Sequence, residues 1–241
     1  MKKTTLLLLN KYVLLLLVFL ASSFSISEDK KELLIVTFGD STTAPRRGID
    51  KVFSVRLHEM LTAAGIANKV INSGVGSSHT GSIKDNDFAK VVHAMDRFEK
   101  SVLDHHPDWV TINFGLNDAY QDKGINGQSR IPLDKYIANL TYFIDQVEKQ
   151  NGRVILLPPN PVGSKLDRFR YERVKEYREA AKKLARKKNV FFVDSWKLFY
   201  KHTRKDPKGI DSLLPDAVHP NAQGHQLIAE AVFKIISKHS K

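Results

Sequence analysis

Short apolar runs alternate with longer amphipathic segments along most of this chain. Runs rich in β-branched and aromatic residues predict five strands, at residues 34–38, 69–72, 109–114, 154–157 and 190–194. Apolar residues at spacings of three and four predict five helices, at residues 52–64, 88–103, 133–147, 168–188 and 227–236. Regular alternation of strand and helix predicts one parallel sheet with helices on both faces. The expected fold is therefore a three-layer α/β/α domain of flavodoxin-like type, with a five-stranded parallel sheet.

Residues 1–23 have the features of an export signal. Lys2 and Lys3 provide a positive start, an apolar stretch follows at residues 12–21, and the small residues that come next resemble a signal-peptidase site. The apolar stretch is shorter than the roughly 20 residues of a membrane-spanning helix, so an uncleaved anchor is the minor alternative. We predict a signal peptide at residues 1–23 and a single domain at residues 24–241. The expected location is periplasmic or secreted, with no stable membrane span after cleavage.

The chain is basic and contains no cysteine. The formal charge is +12, and it falls by three, to about +9, when Lys2, Lys3 and Lys11 leave with the signal. Much of the remaining charge lies in residues 168–188, on the polar face of a predicted helix. A solvated helix face explains this charge, so we expect no nucleic acid partner. The lack of cysteine excludes thiolate nucleophiles and cysteine metal sites.

Polar residues follow three predicted strands at the points where the strands end. Gly39-Asp40-Ser41 follows the first strand, Gly76 lies in the loop after the second, and Asn117 lies in the turn after the third. Ligands of open parallel sheets bind just beyond the carboxyl ends of the strands, where Ser41 is suitably placed to act as a nucleophile. The simpler interpretation is an ordinary turn, because Gly, Asp and Ser all favour turns. Two residues near the C-terminus favour the interpretation of Ser41 as a nucleophile over that of an ordinary turn.

Asp216 and His219 supply what a nucleophilic serine needs. A loop with few apolar anchors, residues 201–215, is expected to lead to them. A serine hydroxyl reacts poorly until a base takes its proton, and a neutral imidazole suits that task. A carboxylate three residues before the histidine can fix its tautomer and stabilise the imidazolium, and Pro220 keeps His219 out of a helix. We therefore predict Ser41 as nucleophile, His219 as base and Asp216 as the acid that orients the base.

Three N–H donors are predicted to bind the oxyanion of a tetrahedral intermediate. They are the backbone N–H groups of Ser41 and Gly76 and the side-chain amide of Asn117. Glycine permits close approach of the substrate, and the asparagine amide adds a further donor. We predict no metal site and no cofactor site.

Four blocks of residues, in this order, resemble those of the SGNH hydrolases, also called the GDSL esterase/lipase family. The blocks are Gly39-Asp40-Ser41, Asn72-x-Gly74-x-Gly76, Gly115-x-Asn117-Asp118 and Asp216-x-x-His219-Pro220. The resemblance implies the flavodoxin-like fold, the site roles given above, and hydrolysis of carboxylic esters or thioesters without a cofactor or metal. Thr42 replaces the leucine often found after the serine. A Gly-Asp-Ser-Thr start resembles that of family members that deacetylate plant-wall and other polysaccharides.

The sequence therefore predicts an exported serine esterase that hydrolyses carboxylic esters through an acyl-enzyme. We favour a short acyl group, acetyl in particular, on a carbohydrate. Export, Thr42 and the lack of a long apolar insertion all point to such a substrate. A lysophospholipase or acyl thioesterase is the alternative within the enzyme class. A catalytically silent carbohydrate-binding module is the alternative of another class, but no residue that catalysis needs is missing.

Several further residues are assigned roles from their positions. Asp40 and Asp118 flank the predicted machinery, and we expect them to support loop structure. His79 follows the Gly-rich loop and is expected to line the site. Arg46 is expected to be a solvated loop residue, with contact to an anionic substrate as the alternative. His225, in the first turn of the last helix, is expected to have a surface or capping role.

Overall fold

Five parallel strands form a single sheet in the structure, a computed structural model that describes residues 31–240. The strands are β1 (Leu33–Gly39), β2 (Asn68–Gly74), β3 (Trp109–Asn113), β4 (Arg153–Leu157) and β5 (Phe191–Phe192). Their order across the sheet is β2-β1-β3-β4-β5, and every neighbouring pair runs parallel. This is the flavodoxin-like order, in which the chain reverses direction of winding between β1 and β3. The predicted five-stranded parallel sheet is confirmed.

Helices cover both faces of the sheet. Those of the described residues are α1 (Phe53–Ala63), α2 (Ala94–Ser101), α3 (Leu133–Lys149), α4 (Arg168–Lys188), α5 (Ser195–Thr203) and α6 (Ala222–His239). Apolar residues of α2, α3 and α4 pack in one core with Val36 and Ile112, and those of α1, α5 and α6 pack in a second core with Ile35 and Trp109. Neighbouring residues of a strand point to opposite faces, so Ile35 and Val36 enter different cores. The predicted three-layer α/β/α architecture is confirmed.

The ends of β1, β2 and β3 lie level with one another. Gly39 is aligned with Gly74 on one side and with Asn113 on the other. A Cβ at Gly39 would lie 2.1 Å from Thr43 Oγ1, and a Cβ at Gly74 would lie 2.3 Å from Ala44 N. Both strands can therefore end against the turn after β1 because these two positions lack a side chain. The loops that follow the three strands are thus brought side by side.

The second predicted helix is shorter than expected. The sequence pattern predicts a helix from Phe88, but α2 begins at Ala94, and the side chains of Phe88 and Val92 are 67% and 56% exposed. A local side-chain contact competes with the helix, because Phe88 N–H donates to Asn86 Oδ1 at 3.2 Å. The helix prediction is therefore wrong for residues 88–93.

The segment at residues 201–215 contains regular structure and buried apolar residues, contrary to expectation. It begins inside α5, a helix that was not predicted, and continues through a 3₁₀-helix at Gly209–Ser212. Leu213 and Leu214 are buried in the same core as α1 and α6. These two side chains attach the segment to the domain shortly before Asp216.

The predicted signal peptide, residues 1–23, lies outside the described residues. The bounds of the predicted domain, residues 24–241, therefore stay a prediction. Between residues 31 and 240, no helix is long and apolar enough to cross a membrane.

Candidate active site

Ser41, His219 and Asp216 form a continuous chain of hydrogen bonds. Ser41 Oγ lies 2.9 Å from His219 Nε2, and His219 Nδ1 lies 2.8 Å from Asp216 Oδ2. Ser41 follows β1, and the other two residues lie in the loop before α6, so the fold joins positions 178 residues apart. The structure thus brings together the three predicted residues in the order that a base-assisted serine requires.

The Asp216 carboxylate holds its own loop in shape. Its Oδ1 accepts the backbone N–H groups of Val218 (3.1 Å) and His219 (2.7 Å), and its Oδ2 also accepts Arg46 Nη2–H (3.1 Å). Ala217 has a left-handed φ of 66° in this tight loop. Partial burial opposes ionisation of Asp216, but the hydrogen bonds from His219, Val218 and Arg46 outweigh it and hold its pKa well below the usual value. Asp216 is therefore ionised at neutral pH and favours the tautomer with hydrogen on His219 Nδ1.

Arg46 takes part in this arrangement, contrary to the expectation of a solvated loop residue. The side chains of Arg46 and Asp216 are 32% and 43% exposed, and Arg46 also lines the cavity over Ser41. Such a partly exposed ion pair typically contributes less than ~1 kcal/mol to stability. Its effect is therefore to place the Asp216 carboxylate rather than to hold the fold together.

The turn that carries Ser41 is supported by buried polar residues. Asp40 Oδ1 accepts the N–H (2.9 Å) and the hydroxyl (2.8 Å) of Thr42, and Asn113 Nδ2 donates to Thr42 Oγ1 at 2.9 Å. Thr42 is 2% exposed and is not among the residues that line the cavity. Asp40 therefore has the loop-supporting role that was expected, and Thr42 has the same role.

A cavity of about 470 Å³ opens over Ser41. Gly76 and Asn117 line it together with Ser41 and His219, so the predicted oxyanion donors border one space. A Cβ at Gly76 would meet no atom within 4 Å, so the backbone is open to a ligand there. Asn117 Nδ2 donates to Ser78 O at 3.1 Å, which fixes the amide and leaves its second N–H for another acceptor. This arrangement can bind an oxyanion.

The remainder of the cavity lining is largely apolar. Its apolar side chains are Ala44, Pro45, Leu116, Ala119, Leu166, Val174 and Val218. Tyr120 and Arg170 also line the cavity, and Arg170 Cζ lies 4.2 Å from the centre of the Tyr120 ring. Neither residue was predicted from the sequence; Arg170 is one of the basic residues of α4 that were interpreted as a solvated face. A cavity of this size suits a small organic ligand.

His79 supports the Gly76 loop instead of lining the cavity. Its imidazole stacks on that of His93, with ring centres 3.5 Å apart, and both side chains are buried. The backbone N–H of His79 donates to His93 Nδ1 at 3.3 Å, and the ring atom His79 Nε2 lies 2.9 Å from the backbone oxygen of Asn86. Burial lowers the pKa of His79 to about 4 and also lowers the pKa of His93. The expectation that His79 lines the site is therefore wrong; the neutral pair joins the loop to the start of α2.

His225 is buried and caps a neighbouring helix. Its Nδ1 accepts the N–H of Phe53, the first residue of α1, at 3.3 Å. Burial lowers its pKa to about 4, and the positive charges of Arg56 and Arg46 add to this effect. The expected capping role is confirmed, and the expected surface position is wrong.

Arg97 on α2 is a buried cation that joins the ends of β1 and β2. Its Nη1 donates to Ser73 O at 2.7 Å and its Nη2 donates to Gly39 O at 2.9 Å. Its guanidinium also lies 4.4 Å from the centre of the Phe38 ring. Arg97 was not predicted from the sequence, although its position next to Phe98 in the amphipathic segment that forms α2 was an available signal.

Asp40 and Asp118 are completely buried carboxyl groups. Asp118 Oδ1 accepts the N–H of Thr80 at 2.9 Å and also its hydroxyl, while its Oδ2 has no partner within residues 31–240. Burial raises the pKa of Asp40 to about 6 and that of Asp118 to about 7, although the hydrogen bonds from Thr42 and Thr80 oppose the rise. Asp118 therefore supports the loop at Thr80, as expected, and is mostly neutral below pH 7.

The Asp118→Asn variant is expected to gain stability over the wild type as the pH rises. A carboxyl group whose pKa is raised by folding destabilises the folded protein increasingly as the pH rises from 3.8, its pKa in the unfolded chain, through about 7, its pKa in the folded protein. Asparagine stays neutral, so the difference in unfolding free energy should move in its favour by ~3 kcal/mol between pH 5 and pH 8. Urea unfolding of both proteins at the two pH values measures this difference.

The exposed Asp87 provides the control for this experiment. Asp87→Asn removes the same charge from a side chain in solvent, so its stability difference from the wild type should be similar at both pH values. A pH-independent difference for Asp118→Asn would show that Asp118 is ionised in the folded protein throughout this range.

Comparison with known proteins identifies the family of the chain. A model of the GDSL-like Lipase/Acylhydrolase family matches residues 37–227. An acetylxylan esterase of Geobacillus stearothermophilus is 26% identical over 176 residues, which cover 70% of this chain and 72% of that protein. The uncharacterized lipoprotein YqeF of Bacillus subtilis (strain 168) is 25% identical over 229 residues, which cover 82% of this chain and 87% of that protein.

A solved structure has the same fold. The lipase/acylhydrolase from Enterococcus faecalis is 28% identical, with a TM-score of 0.67, and the match covers 86% of this chain and 96% of that chain. The residues matched by the family model run from β1 into α6 and include Ser41, Asp216 and His219. The resemblance stated from the sequence blocks is therefore confirmed. The chain is a carboxylic ester hydrolase and belongs to the GDSL-like lipase/acylhydrolase family.

Proposed function

We propose that this chain is an exported serine esterase that removes short acyl groups, acetyl in particular, from carbohydrate. The observation that carries the proposal is the hydrogen bond of 2.9 Å between Ser41 Oγ and His219 Nε2 beside an open cavity. Nucleophilic attack on an ester requires a hydroxyl in contact with a base and accessible to substrate. Ser41 meets both conditions.

In the acylation step, Ser41 Oγ attacks the carbonyl carbon of the ester while its proton moves to His219 Nε2. Asp216, ionised and bonded to His219 Nδ1–H, stabilises the imidazolium that forms. The tetrahedral intermediate then collapses, and the bond to the alcohol oxygen breaks. The alcohol takes the proton from His219 Nε2 as it leaves, and the acyl group remains on Ser41.

Water completes the cycle by the same route in reverse. His219 Nε2 accepts a proton from water, the resulting hydroxide attacks the acyl carbon, and the proton returns to Ser41 Oγ as the acid leaves. In both steps the oxyanion accepts the N–H groups of Ser41 and Gly76 and the free N–H of Asn117. Removal of one such donor typically costs on the order of 10²–10³ in turnover.

Three observations favour an acetylated carbohydrate as substrate. An acetylxylan esterase is among the relatives of the chain. The Gly-Asp-Ser-Thr start resembles that of polysaccharide deacetylases, although Thr42 is buried and acts on the turn and not on the substrate. The cavity of about 470 Å³ is large enough for a small acyl group together with a sugar ring.

Export is part of the proposal. The first 23 residues have the pattern of a signal peptide, and a relative that matches 82% of the chain is named a lipoprotein. A cell-fractionation experiment with the full chain tests this part. Recovery of the processed protein outside the cytoplasm is the expected result, and recovery of an unprocessed cytoplasmic protein would contradict it.

The apolar lining of the cavity favours a second candidate, a lysophospholipase or acyl thioesterase. Leu116, Leu166 and Val174 form an apolar surface along which a longer acyl chain could lie. The preference for acyl-chain length separates the two candidates.

Hydrolysis of p-nitrophenyl esters from acetate to palmitate is the test. We expect the highest kcat/KM for acetate and butyrate, with a fall of at least about tenfold by octanoate, because in the proposed function the alcohol part of the ester occupies most of the cavity and leaves space for a short acyl group. Release of acetate from acetylated xylooligosaccharides should accompany this profile. A rise in kcat/KM toward longer chains would instead favour the lipid or thioester candidate, and no hydrolysis of any ester would favour a silent binding module.

A further inference from the structure

Arg170 lines the cavity without a matching counter-charge. Its Nη1 is buried and, in the part of the chain that the structure describes, has no hydrogen-bond partner. Its ion-pair contact within that part is with Asp167, whose Oδ2 lies 3.8 Å from Arg170 Nε and whose side chain is 70% exposed. Protein atoms cover this N–H, so the donors that a ligand can reach are the other N–H groups of the guanidinium. Arg170 therefore brings to the cavity a positive charge that the described residues neutralise only weakly.

Aromatic side chains hold Arg170 in position. Its Cζ lies 4.2 Å from the centre of the Tyr120 ring and 5.1 Å from that of Phe169. Arg130 packs against the same tyrosine at 4.6 Å, but its charge is paired with Asp122 through contacts of 2.8 and 3.1 Å. Stacking restricts a guanidinium group without using its N–H donors. Arg170 is therefore ordered in advance, and the N–H donors that protein atoms do not cover stay available to a ligand.

The two arginines that line the cavity differ in what they bind. Arg46 is engaged by the Asp216 carboxylate at 3.1 Å, whereas Arg170 has no comparable partner. A carboxylate is the ligand that best matches the planar fork of a guanidinium, because it accepts two parallel N–H bonds and neutralises the charge. Neutral hydroxyl groups of a sugar would satisfy the N–H but leave the charge unpaired.

We propose that Arg170 is a specificity-determining residue that binds a carboxylate carried by the substrate. The inference rests on the proposed function, because it assigns a charge to the acylated sugar that the esterase cleaves. Two parts of an ester can bear this carboxylate. It belongs either to the sugar, as in a uronic acid, or to the acyl group, as in the half ester of a dicarboxylic acid.

Two pairs of matched esters test the proposal and locate the carboxylate. The first pair is an acetylated methyl glucuronoside and the corresponding methyl glucoside, which differ at C6. The second pair is p-nitrophenyl hemisuccinate and p-nitrophenyl butyrate, which differ at the end of the acyl chain. We expect the wild type to prefer the charged member of one pair by about tenfold in kcat/KM, mainly through KM. Added salt should reduce this preference.

Variants on α4 assign the preference to Arg170. Arg170→Gln keeps a long polar side chain but removes the charge and the fork, so the preference should fall to near unity. Arg170→Lys keeps the charge without the fork, so an intermediate preference is expected. Arg168→Gln is the matched control, because it removes the same charge from a side chain on the same helix that is 81% exposed and paired with Glu172. It should retain the wild-type preference.

Each outcome decides the proposal. If the wild type prefers the glucuronoside and Arg170→Gln loses this preference, Arg170 recognises an acidic sugar. If the same result is obtained with hemisuccinate, Arg170 recognises an acidic acyl group. Equal kcat/KM values for the two members of both pairs, or a preference that Arg170→Gln retains, would overturn the inference. Hydrolysis of p-nitrophenyl acetate in the same experiment would leave the proposed function intact. If the wild type hydrolyses no ester, the proposed function and this inference fail together.

Discussion

Replacement of Ser41 by alanine is expected to lower kcat for p-nitrophenyl acetate by at least about 10⁴-fold. The variant lacks the oxygen that attacks the carbonyl, so His219 Nε2, 2.9 Å from that oxygen in the wild type, has no nucleophile to deprotonate. The remaining hydrolysis depends on water and on the oxyanion donors, which the substitution leaves in place. Steady-state kinetics measure the loss, and mass spectrometry after treatment with a fluorophosphonate shows whether Ser41 is the residue modified in the wild type.

Ser164→Ala is the control for this experiment. Ser164 is an exposed serine whose hydroxyl bonds to Asp211, and it is not among the residues that line the cavity over Ser41. Its removal should change kcat by less than about twofold. Retention of more than a tenth of the wild-type activity in Ser41→Ala, or covalent modification at another serine, would assign the nucleophile elsewhere.

Asp216→Asn is expected to lower kcat by about 10⁴-fold with little change in KM. An asparagine amide beside His219 Nδ1 donates a hydrogen bond, whereas the carboxylate accepts one. The imidazole must then carry its hydrogen on Nε2, where it cannot accept the proton of Ser41. In addition, Arg46, which lies 3.1 Å from the carboxylate, is left beside a neutral group and disfavours the imidazolium.

The half-buried Asp211 provides the matched control for the loss at Asp216. Asp211→Asn removes an aspartate charge five positions away along the same segment, so it tests whether charge alone matters. We expect kcat to stay within about twofold of the wild type. Melting temperatures of both variants separate a catalytic loss from unfolding. A fall of less than tenfold for Asp216→Asn in a folded protein would remove Asp216 from the proposed mechanism.

The sheet and the site residues could be predicted because their signals are local. The strands are short apolar runs buried on both faces, and polar residues begin where each run ends. Ser41, Gly76 and Asn117 each follow a strand directly, so placing the strands in one parallel sheet also places these residues at one edge. Asp216 and His219 are three positions apart, and their contact needs no knowledge of the rest of the fold.

The contacts that the sequence analysis missed depend on tertiary structure. Arg46 pairs with a carboxylate 170 positions away, and His225 caps a helix 172 positions away. Neither partner can be inferred from spacing, because the pairing follows from how two loops and two helices meet. The error at Phe88 has a different cause. Its segment has helical periodicity, but a turn stabilised by Asn86 competes with the helix and leaves Phe88 in solvent.

The buried ionisable groups near the site have opposite effects on proton exchange during unfolding. At pH 5, unfolding releases protons from Asp40 and Asp118, because their pKa values fall from about 6 and about 7 to an ordinary value of 3.8. Unfolding at the same pH takes up protons at His79, His93 and His225, because their lowered pKa values return to 6.5. The slope of stability with pH is proportional to the net number of protons exchanged, and here release opposes uptake. The two sets of buried groups thus oppose each other, so moderate acidification changes the stability of the fold less than either set would alone, which suits the exported location that we propose.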